Sequence, residues 1–138
     1  MLELGVIEPA NGPWSSPMVL IKKKDGSVRF CVDYRRLNDV TVKDVYPLPR
    51  IDDVLDRLGG AKFFTTLDLY KGYWQVPMAE ADRPKTAFVT PDGLFQFKRM
   101  SFGLCNAPAS FQRMMDTILG PLKWKICLVY MDDILIYS

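Results

Sequence analysis

The spacing of apolar and polar residues along the chain predicts two helices. Apolar side chains at positions 51, 54, 55 and 58 recur at the helical period and predict a helix over residues 50–58, which Gly59-Gly60 ends. A second helix is predicted to begin at Asn106-Ala107-Pro108, because Asn caps helices well and Pro fits the first turn. Its apolar stripe covers residues 111–119, and Gly120-Pro121 stops it.

Short apolar runs bounded by turn residues predict the strands. Residues 18–21 and 28–32 form a predicted hairpin around the turn Lys24-Asp25-Gly26-Ser27. A buried strand is predicted at residues 63–69, and further strands are predicted at residues 86–89, 94–97, 126–130 and 134–137. Because strands follow one another in hairpins and do not alternate with helices, the predicted fold class is α+β.

The composition limits the chemistry. The chain has 138 residues, of which 49% are apolar and 25% charged, as in an ordinary globular domain. It contains no histidine, which excludes Ser-His and Cys-His nucleophile pairs, an imidazole acid or base, and histidine-bound zinc. Three cysteines alone cannot complete a four-ligand structural zinc site. Carboxylates, lysines, arginines, tyrosines or a bound hard metal must therefore supply any catalysis.

The three cysteines and the chain ends bear on the cellular compartment. Cys31, Cys105 and Cys127 are odd in number and share no CxxC spacing, so we expect small buried hydrophobic residues in a reducing compartment. The N-terminus lacks the features of a signal peptide, and no apolar run approaches membrane-spanning length. We therefore expect an intracellular, cytoplasmic protein that does not contact membranes.

Charge is unevenly distributed. The formal net charge is +2, yet residues 20–36 carry six cations and two acids, a local excess of four positive charges. A basic run is usually a solvated face. Here, however, the cations lie on a predicted hairpin, which can present several of them to one anionic ligand.

Carboxylates stand where apolar residues are expected. Asp132-Asp133 lies between two apolar strands, and Asp68 ends another. Turn formation alone can explain an Asp pair in a hairpin. If the strands are neighbours, two or three carboxylates converge, and such a set of hard oxygen donors fits Mg²⁺ or Mn²⁺. With the basic hairpin, these residues predict phosphoryl or nucleotidyl transfer.

Five motifs in colinear order resemble reverse transcriptases. Tyr130-Met131-Asp132-Asp133 resembles their YxDD signature, and residues 64–69 resemble their first catalytic motif. Residues 16–26, 29–38 and 102–112 resemble the gypsy-type branch of long-terminal-repeat retrotransposons. The resemblance covers nearly the whole chain and identifies it as similar to an RNA-directed DNA polymerase of that branch.

This resemblance implies a right-hand polymerase fold, with a mostly antiparallel sheet, helices packed on one face and a catalytic hairpin near residue 138. Residues 1–49 would be part of the fingers, and residues 50–138 mainly palm with a fingers insertion near 77–100. We expect the thumb, connection and ribonuclease H domains of a Pol polyprotein to be absent from this sequence. We therefore expect a fingers and palm fragment that polymerises poorly alone, and whose open sheet edge and apolar surface favour aggregation.

The resemblance also implies a metal site and a nucleotide site. Asp68, Asp132 and Asp133 match the catalytic acids that bind two Mg²⁺ ions, with Mn²⁺ as a substitute. Tyr73 matches the aromatic gate that excludes a ribose 2′-hydroxyl, although packing beside Trp74 is an alternative. The residues that match the deoxynucleoside triphosphate site are Lys23, Arg29, Leu69, Tyr70, Tyr73 and Phe102. Lys23 and Arg29 would hold the triphosphate, and the backbone amides of Leu69 and Tyr70 would lie near it. Phe102 would contribute packing where some retroviral enzymes have a glutamine.

Four further residues match positions near the nucleic acid. Gln112 and Arg113 would contact the template, and Met131 would pack beneath the primer end. Gly103 would let the backbone approach primer or nucleotide. The alternatives are a plain turn glycine at Gly103 and a strained turn residue at Met131.

The implied activity is RNA-directed and DNA-directed DNA polymerisation for retrotransposon replication. Its partners would be an RNA or DNA template with its primer, deoxynucleoside triphosphates and the other Pol domains, within a virus-like particle in a complete element. Two alternatives stay open. One is a catalytically inactive, retroelement-derived nucleic-acid-binding or interaction module, and the other is a metal-dependent phosphotransferase or nuclease.

Overall fold

The computed structural model describes residues 1–138 and divides the chain into two units, each built from two separate segments. The first unit comprises Met1–Val42 and Tyr73–Ala107, and the second comprises Lys43–Gly72 and Pro108–Ser138. The strands are β1 (Ile7–Pro9), β2 (Met18–Lys22), β3 (Val28–Val32), β4 (Phe64–Asp68), β5 (Phe88–Thr90), β6 (Gly93–Phe97), β7 (Cys127–Tyr130) and β8 (Asp133–Tyr137). The α-helices are α1 (Arg35–Val40), α2 (Ile51–Leu58) and α3 (Ala107–Ile118), and 3-10 helices occupy Gly72–Gln75 and Glu80–Thr86.

The first unit contains two antiparallel sheets. One has the strand order β1-β6-β5, and the other is the hairpin of β2 and β3. Its core is aromatic, because the buried Phe88 ring lies 5.3 Å from the rings of both Phe30 and Phe97. The Tyr34 hydroxyl donates to the Thr86 carbonyl oxygen at 2.8 Å, and the Thr86 hydroxyl accepts from the Phe97 N–H at 2.9 Å. These contacts join the end of the second 3-10 helix to the sheet.

The second unit contains a three-stranded antiparallel sheet with the order β4-β8-β7. Helix α3 belongs to this unit from Pro108 onward and buries Phe111 and Met115. A Cβ at Gly72 would lie 3.0 Å from the Phe111 ring, so glycine permits a close approach there. The central strand, β8, places Asp133 opposite both Asp68 of β4 and Tyr130 of β7.

Most elements confirm the sequence predictions. The hairpin of β2 and β3, the helices α2 and α3 and the strands β7 and β8 form where the patterns place them, and the α+β class is confirmed. The unpredicted β1 and α1 have only three and six residues. Elements of that length are too short for a periodic pattern to appear.

The prediction of a buried strand at residues 63–69 is correct for the strand and wrong for its burial. Every residue of β4 is exposed, and the exposed fraction of Phe64 is 53%. The reason is that β4 is an edge strand whose only strand neighbour is β8. The strand predicted at 86–89 begins later, at Phe88, because Thr86 closes a 3-10 helix by donating its hydroxyl to the Arg83 carbonyl oxygen.

The predicted burial of the three cysteines is confirmed for one of them. Cys127 is buried, whereas Cys31 and Cys105 are only half-buried. None of the helices combines the length and apolar character needed to cross a membrane. The predicted division into fingers and palm segments stays a prediction, because the two units are defined by contacts within the chain and not by function.

Candidate active site

The register of the second unit brings two of the predicted catalytic acids together. Asp68 is the last residue of β4, Asp133 is the first residue of β8, and the two are direct partners. Directly opposite residues of antiparallel strands have Cβ atoms about 4.5–5.5 Å apart on one face of the sheet. Both side chains are exposed. The sequence prediction required only that these strands be neighbours, and the sheet order meets that requirement.

Asp132 lies in the turn that joins β7 to β8. Tyr130 and Asp133 pair across the hairpin, so Met131 and Asp132 form a two-residue turn. The Asp132 carbonyl oxygen accepts a long hydrogen bond of 3.4 Å from the Leu69 N–H. This bond ties the turn to the residue that follows Asp68. All three acids therefore lie at one end of one sheet.

The donor chemistry of these acids fits a hard divalent cation, because carboxylate oxygens are the ligands that Mg²⁺ prefers. The arrangement of the three acids, however, does not by itself complete a metal site. No group of three or more acidic, cysteine or histidine side chains is close enough to hold one ion. The structure thus supports a cross-strand pair with a third acid nearby, and the two-ion site stays a prediction.

Gln112 supports the turn from helix α3. Its side chain is fully buried, at 0% exposure. The Nε2 group donates to the Val129 carbonyl oxygen at 3.2 Å and to Asp116 Oδ1 at 3.0 Å, and Oε1 accepts from the Met131 N–H at 3.3 Å. The prediction that Gln112 contacts the template is therefore corrected, because its amide is enclosed and engaged within the unit.

Asp116 is a site residue that the sequence motifs do not indicate. It accepts from the Tyr46 hydroxyl at 2.8 Å and pairs with Lys123 at 2.7 Å. Partial burial works against its ionisation, but hydrogen bonds from Lys123, Tyr46 and Gln112 outweigh it and lower the pKa of Asp116. The signal in the sequence was the spacing of Gln112 and Asp116, which are one helical turn apart.

Arg113 points to a different set of partners. Its guanidinium pairs with Asp44 at 2.7 Å and lies 4.8 Å from the centre of the Tyr46 ring. About half of the side chain, 51%, stays exposed. A template contact at Arg113 remains a prediction.

Met131 adopts a left-handed conformation, with φ of +53°. This agrees with the alternative interpretation of Met131 as a strained turn residue, and its predicted contact with a primer is untested. After β4, the Leu69 N–H is engaged by Asp132, so a phosphate at this amide would have to displace that long bond. Tyr70, the second residue predicted near the phosphates, is exposed.

In the first unit, the basic hairpin has an ordered tip. Asp25 Oδ1 accepts from the Ser27 N–H at 2.9 Å and from its hydroxyl at 2.6 Å, and these hydrogen bonds lower the pKa of Asp25. The Lys23 N–H donates to the Ser27 carbonyl oxygen at 2.7 Å. The six cations of this segment are all exposed: Lys22, Lys23, Lys24, Arg29, Arg35 and Arg36.

Phe102 contacts two other residues that are predicted for the nucleotide site. The Arg29 guanidinium lies 5.7 Å from the centre of the Phe102 ring, and the Phe102 and Tyr73 rings are 4.6 Å apart. Tyr73 is buried, at 6% exposure. Arg29, Phe102 and Gly103 also line a cavity of about 280 Å³, together with Cys31, Trp74 and other residues. The sequence motifs indicate these residues separately, and the fold brings them together.

Gly103 has a φ of +91°, which favours glycine. Its carbonyl oxygen accepts from Asn38 Nδ2 at 2.8 Å, and the Asn38 Oδ1 accepts from the Cys105 N–H at 2.9 Å. This geometry agrees with a turn glycine, while its position on the cavity leaves the predicted close approach of a ligand open.

Comparisons with known proteins agree with one another. Residues 21–138 match the family model described as reverse transcriptase (RNA-dependent DNA polymerase). The retrovirus-related Pol polyproteins from the Drosophila melanogaster transposons opus and gypsy are 49% and 44% identical over the whole chain. The chain spans 14% of the length of each. An RNA-directed DNA polymerase homolog of Oenothera berteroana is 49% identical over 81% of the chain and 79% of its own length.

Solved structures of foamy viral protease-reverse transcriptase are also similar. The form in complex with double-stranded DNA has a TM-score of 0.89 and 26% identity, over 99% of this chain and 24% of that chain. The form in complex with RNA/DNA hybrid has a TM-score of 0.84 and 25% identity, over 99% and 18%.

Proposed function

Because the chain belongs to the reverse transcriptase family, we propose that it carries the catalytic acids and nucleotide-binding residues of an RNA-directed DNA polymerase. The family membership confirms the resemblance that the five motifs indicate. The observation that carries the proposal is the direct pairing of Asp68 with Asp133 beside Asp132. Neighbouring carboxylates of this kind could hold a divalent ion for nucleotidyl transfer.

The proposed reaction joins a deoxynucleoside triphosphate to a primer. The primer 3′-hydroxyl releases its proton to solvent and its oxygen attacks the α-phosphorus. The bond from the α-phosphorus to the oxygen that bridges to the β-phosphorus breaks, and pyrophosphate leaves. Asp68, Asp132 and Asp133 would hold divalent ions, Mg²⁺ or Mn²⁺, which when bound lower the pKa of the hydroxyl and neutralise charge on the leaving group. The protein supplies carboxylates for this purpose and needs no histidine.

The first unit would serve the nucleotide. Lys23 and Arg29 would hold the triphosphate through charge-assisted hydrogen bonds, which are stronger than neutral ones. Tyr73 would exclude the 2′-hydroxyl of a ribonucleotide, held by its ring contact with Phe102. Base pairing with the template would select the base, so that the protein itself contacts backbone and phosphate.

The proposed nucleic-acid partners are a primer paired with an RNA or DNA template. Related foamy viral enzymes bind double-stranded DNA and RNA/DNA hybrid, which supports this choice. Binding through phosphates would weaken as salt concentration rises.

The first test compares the parent chain with Asp132→Asn. We expect Mg²⁺-dependent extension of an oligo-deoxythymidylate primer on polyadenylate, at a low rate and with short products. Asp132→Asn should lower that rate about 1,000-fold, because metal stabilisation of the transition state amounts to several kcal/mol. Template-primer affinity, measured by fluorescence anisotropy, should change little.

Asp92→Asn is the matched control, since Asp92 is an exposed turn residue of the first unit. It should leave both measurements unchanged. Extension by Asp132→Asn at the parent rate would contradict the proposal. Long, processive products from the parent would contradict the expectation of weak activity.

A second candidate function is a non-catalytic nucleic-acid-binding module. The six exposed cations on and beside the β2–β3 hairpin favour it. The same experiment separates the two, because salt-dependent binding with no extension by either protein supports the module.

A further inference from the structure

We propose that Gln112 and Asp116 are positioning residues that fix the turn carrying Asp132. This inference rests on the proposed function, since it assigns a role in holding a catalytic acid. It extends that function to two residues of α3: Gln112, whose side chain contacts the turn, and Asp116, which accepts a hydrogen bond from Gln112.

The turn needs such support. Met131 has a φ of +53°, a left-handed conformation that is unfavourable for a residue other than glycine. Residues in this region persist where their surroundings hold them. The peptide bond that follows Met131 carries Asp132, so any rotation at Met131 displaces the acid.

Gln112 contacts the hairpin at two points. Its Nε2 group donates to the Val129 carbonyl oxygen, in the strand before the turn, and its Oε1 accepts from the Met131 N–H within the turn. The side chain is fully buried, so water does not compete for these bonds. One amide thereby fixes the turn relative to the strand that leads into it.

Asp116 and the Val129 carbonyl oxygen together set the direction of the Gln112 amide, because both accept from its Nε2 group. An ionised carboxylate only accepts hydrogen bonds, so Asp116 Oδ1 requires the NH₂ end of Gln112 and leaves Oε1 for Met131. If the amide were reversed, Nε2 would face the Met131 N–H and both contacts would be lost. Lys123 at 2.7 Å and Tyr46 at 2.8 Å keep Asp116 ionised and in place.

The experiment uses the whole chain and two readouts that do not depend on polymerisation. Hydrogen exchange of the Met131 amide is followed by NMR, and Mn²⁺ affinity is followed by electron paramagnetic resonance. Gln112→Met should speed exchange at Met131 about tenfold or more and weaken Mn²⁺ binding about tenfold, as expected for loss of one buried hydrogen bond. Amides of the β2–β3 hairpin should keep their parent rates.

Two further variants separate positioning from general stability. Gln96→Met makes the same chemical change in the first unit, where Gln96 donates to Glu8 at 2.8 Å, and it should leave Met131 exchange and Mn²⁺ affinity unchanged. Asp116→Asn keeps Gln112 and its bond to Val129 but replaces the charged acceptor of its NH₂ end with a neutral one, so it should also speed exchange at Met131, by less than Gln112→Met does. In the double variant, Asp116→Asn should add nothing to Gln112→Met, because Asp116 acts through Gln112.

The inference would be overturned if the Met131 amide exchanged at the parent rate in both Gln112→Met and Asp116→Asn. It would also be overturned if exchange accelerated equally at every amide of the second unit. If Gln112→Met does not fold, Asp116→Asn decides. A parent chain that neither polymerises nor binds Mn²⁺ contradicts the proposed function, and exchange at Met131 then still tests the inference.

Discussion

At the scale of single residues, the hydroxyl of Tyr34 is buried and donates a hydrogen bond of 2.8 Å to the Thr86 carbonyl oxygen. Burial raises the pKa of Tyr34 well above its ordinary value. In the unfolded chain the same phenol ionises near pH 10. The folded state therefore binds a proton that the unfolded state releases at alkaline pH, so the free energy of unfolding falls as pH rises above about 10.

The variant Tyr34→Phe tests this linkage. At pH 7 it should lower the free energy of unfolding by about 1 kcal/mol, since the Thr86 carbonyl loses its donor. Above pH 10 the free energy of unfolding of the parent should fall by about 1.4 kcal/mol per pH unit more than that of the variant. This slope corresponds to one proton that the unfolded state releases and the folded state retains. Urea unfolding at pH 7, 10 and 11 measures the difference, and equal slopes for the two proteins would contradict the assignment.

The residue scale also shows what could be predicted. Asp68, Asp132 and Asp133 were identifiable because charge inside apolar runs is visible in the sequence. The burial of Gln112 was not visible, because a glutamine within a helix looks the same whether water or a hairpin lies opposite it. Asp116 was missed because its partner Tyr46 is 70 positions away in the sequence.

At the scale of elements, the β2–β3 hairpin carries exposed cations on its strands and on its ordered tip. Lys23→Ala and Arg29→Ala should each raise the KM for deoxynucleoside triphosphate about tenfold or more, as expected when a hydrogen bond to a charged group is lost. Affinity for template and primer should change less. Steady-state primer extension and fluorescence anisotropy measure the two effects.

Lys24→Ala is the control for the hairpin, because it removes the same charge one residue away on the same exposed tip. It should leave KM within about twofold of the parent, less than the loss of one hydrogen bond to a charged group. A tenfold rise in KM from Lys24→Ala would show that total charge matters and that no specific contact exists at Lys23.

The elements themselves were largely predictable. Hairpins and helices with a complete period, such as α3 and the strands β7 and β8, formed as expected. The burial of β4 was not predictable from its apolar residues, because burial depends on which strand lies at the edge of the sheet. The register between β4 and β8 could not be predicted from the apolar pattern either, yet this register places Asp68 opposite Asp133.

At the scale of the whole molecule, apolar surface remains open beside an unpaired strand edge. Phe63, Phe64 and Leu67 are exposed on and next to β4. An exposed apolar edge strand is a template for pairing with another chain. We expect self-association that increases with protein concentration, measured by size-exclusion chromatography with light scattering.

Thr65→Lys should reduce this self-association, because a lysine on an edge strand opposes pairing between chains. Thr117→Lys is the control, since it adds the same charge to an exposed position of α3 in the same unit. If both variants reduce association equally, net charge is the cause and the β4 edge is not involved.

The pairing of β4 with β8 has a consequence for synthesis on the ribosome. Asp133 is 65 positions after Asp68 (from 68 to 133), so its codon is read long after that of its partner. At a synthesis rate of about 5–20 residues per second, both edges of β4 stay unpaired for roughly 3–13 s. The second segment of the first unit, Tyr73–Ala107, is made during this interval. The catalytic acids thus meet late, and a nascent chain is most exposed to chaperones and to misfolding while β4 has no neighbour.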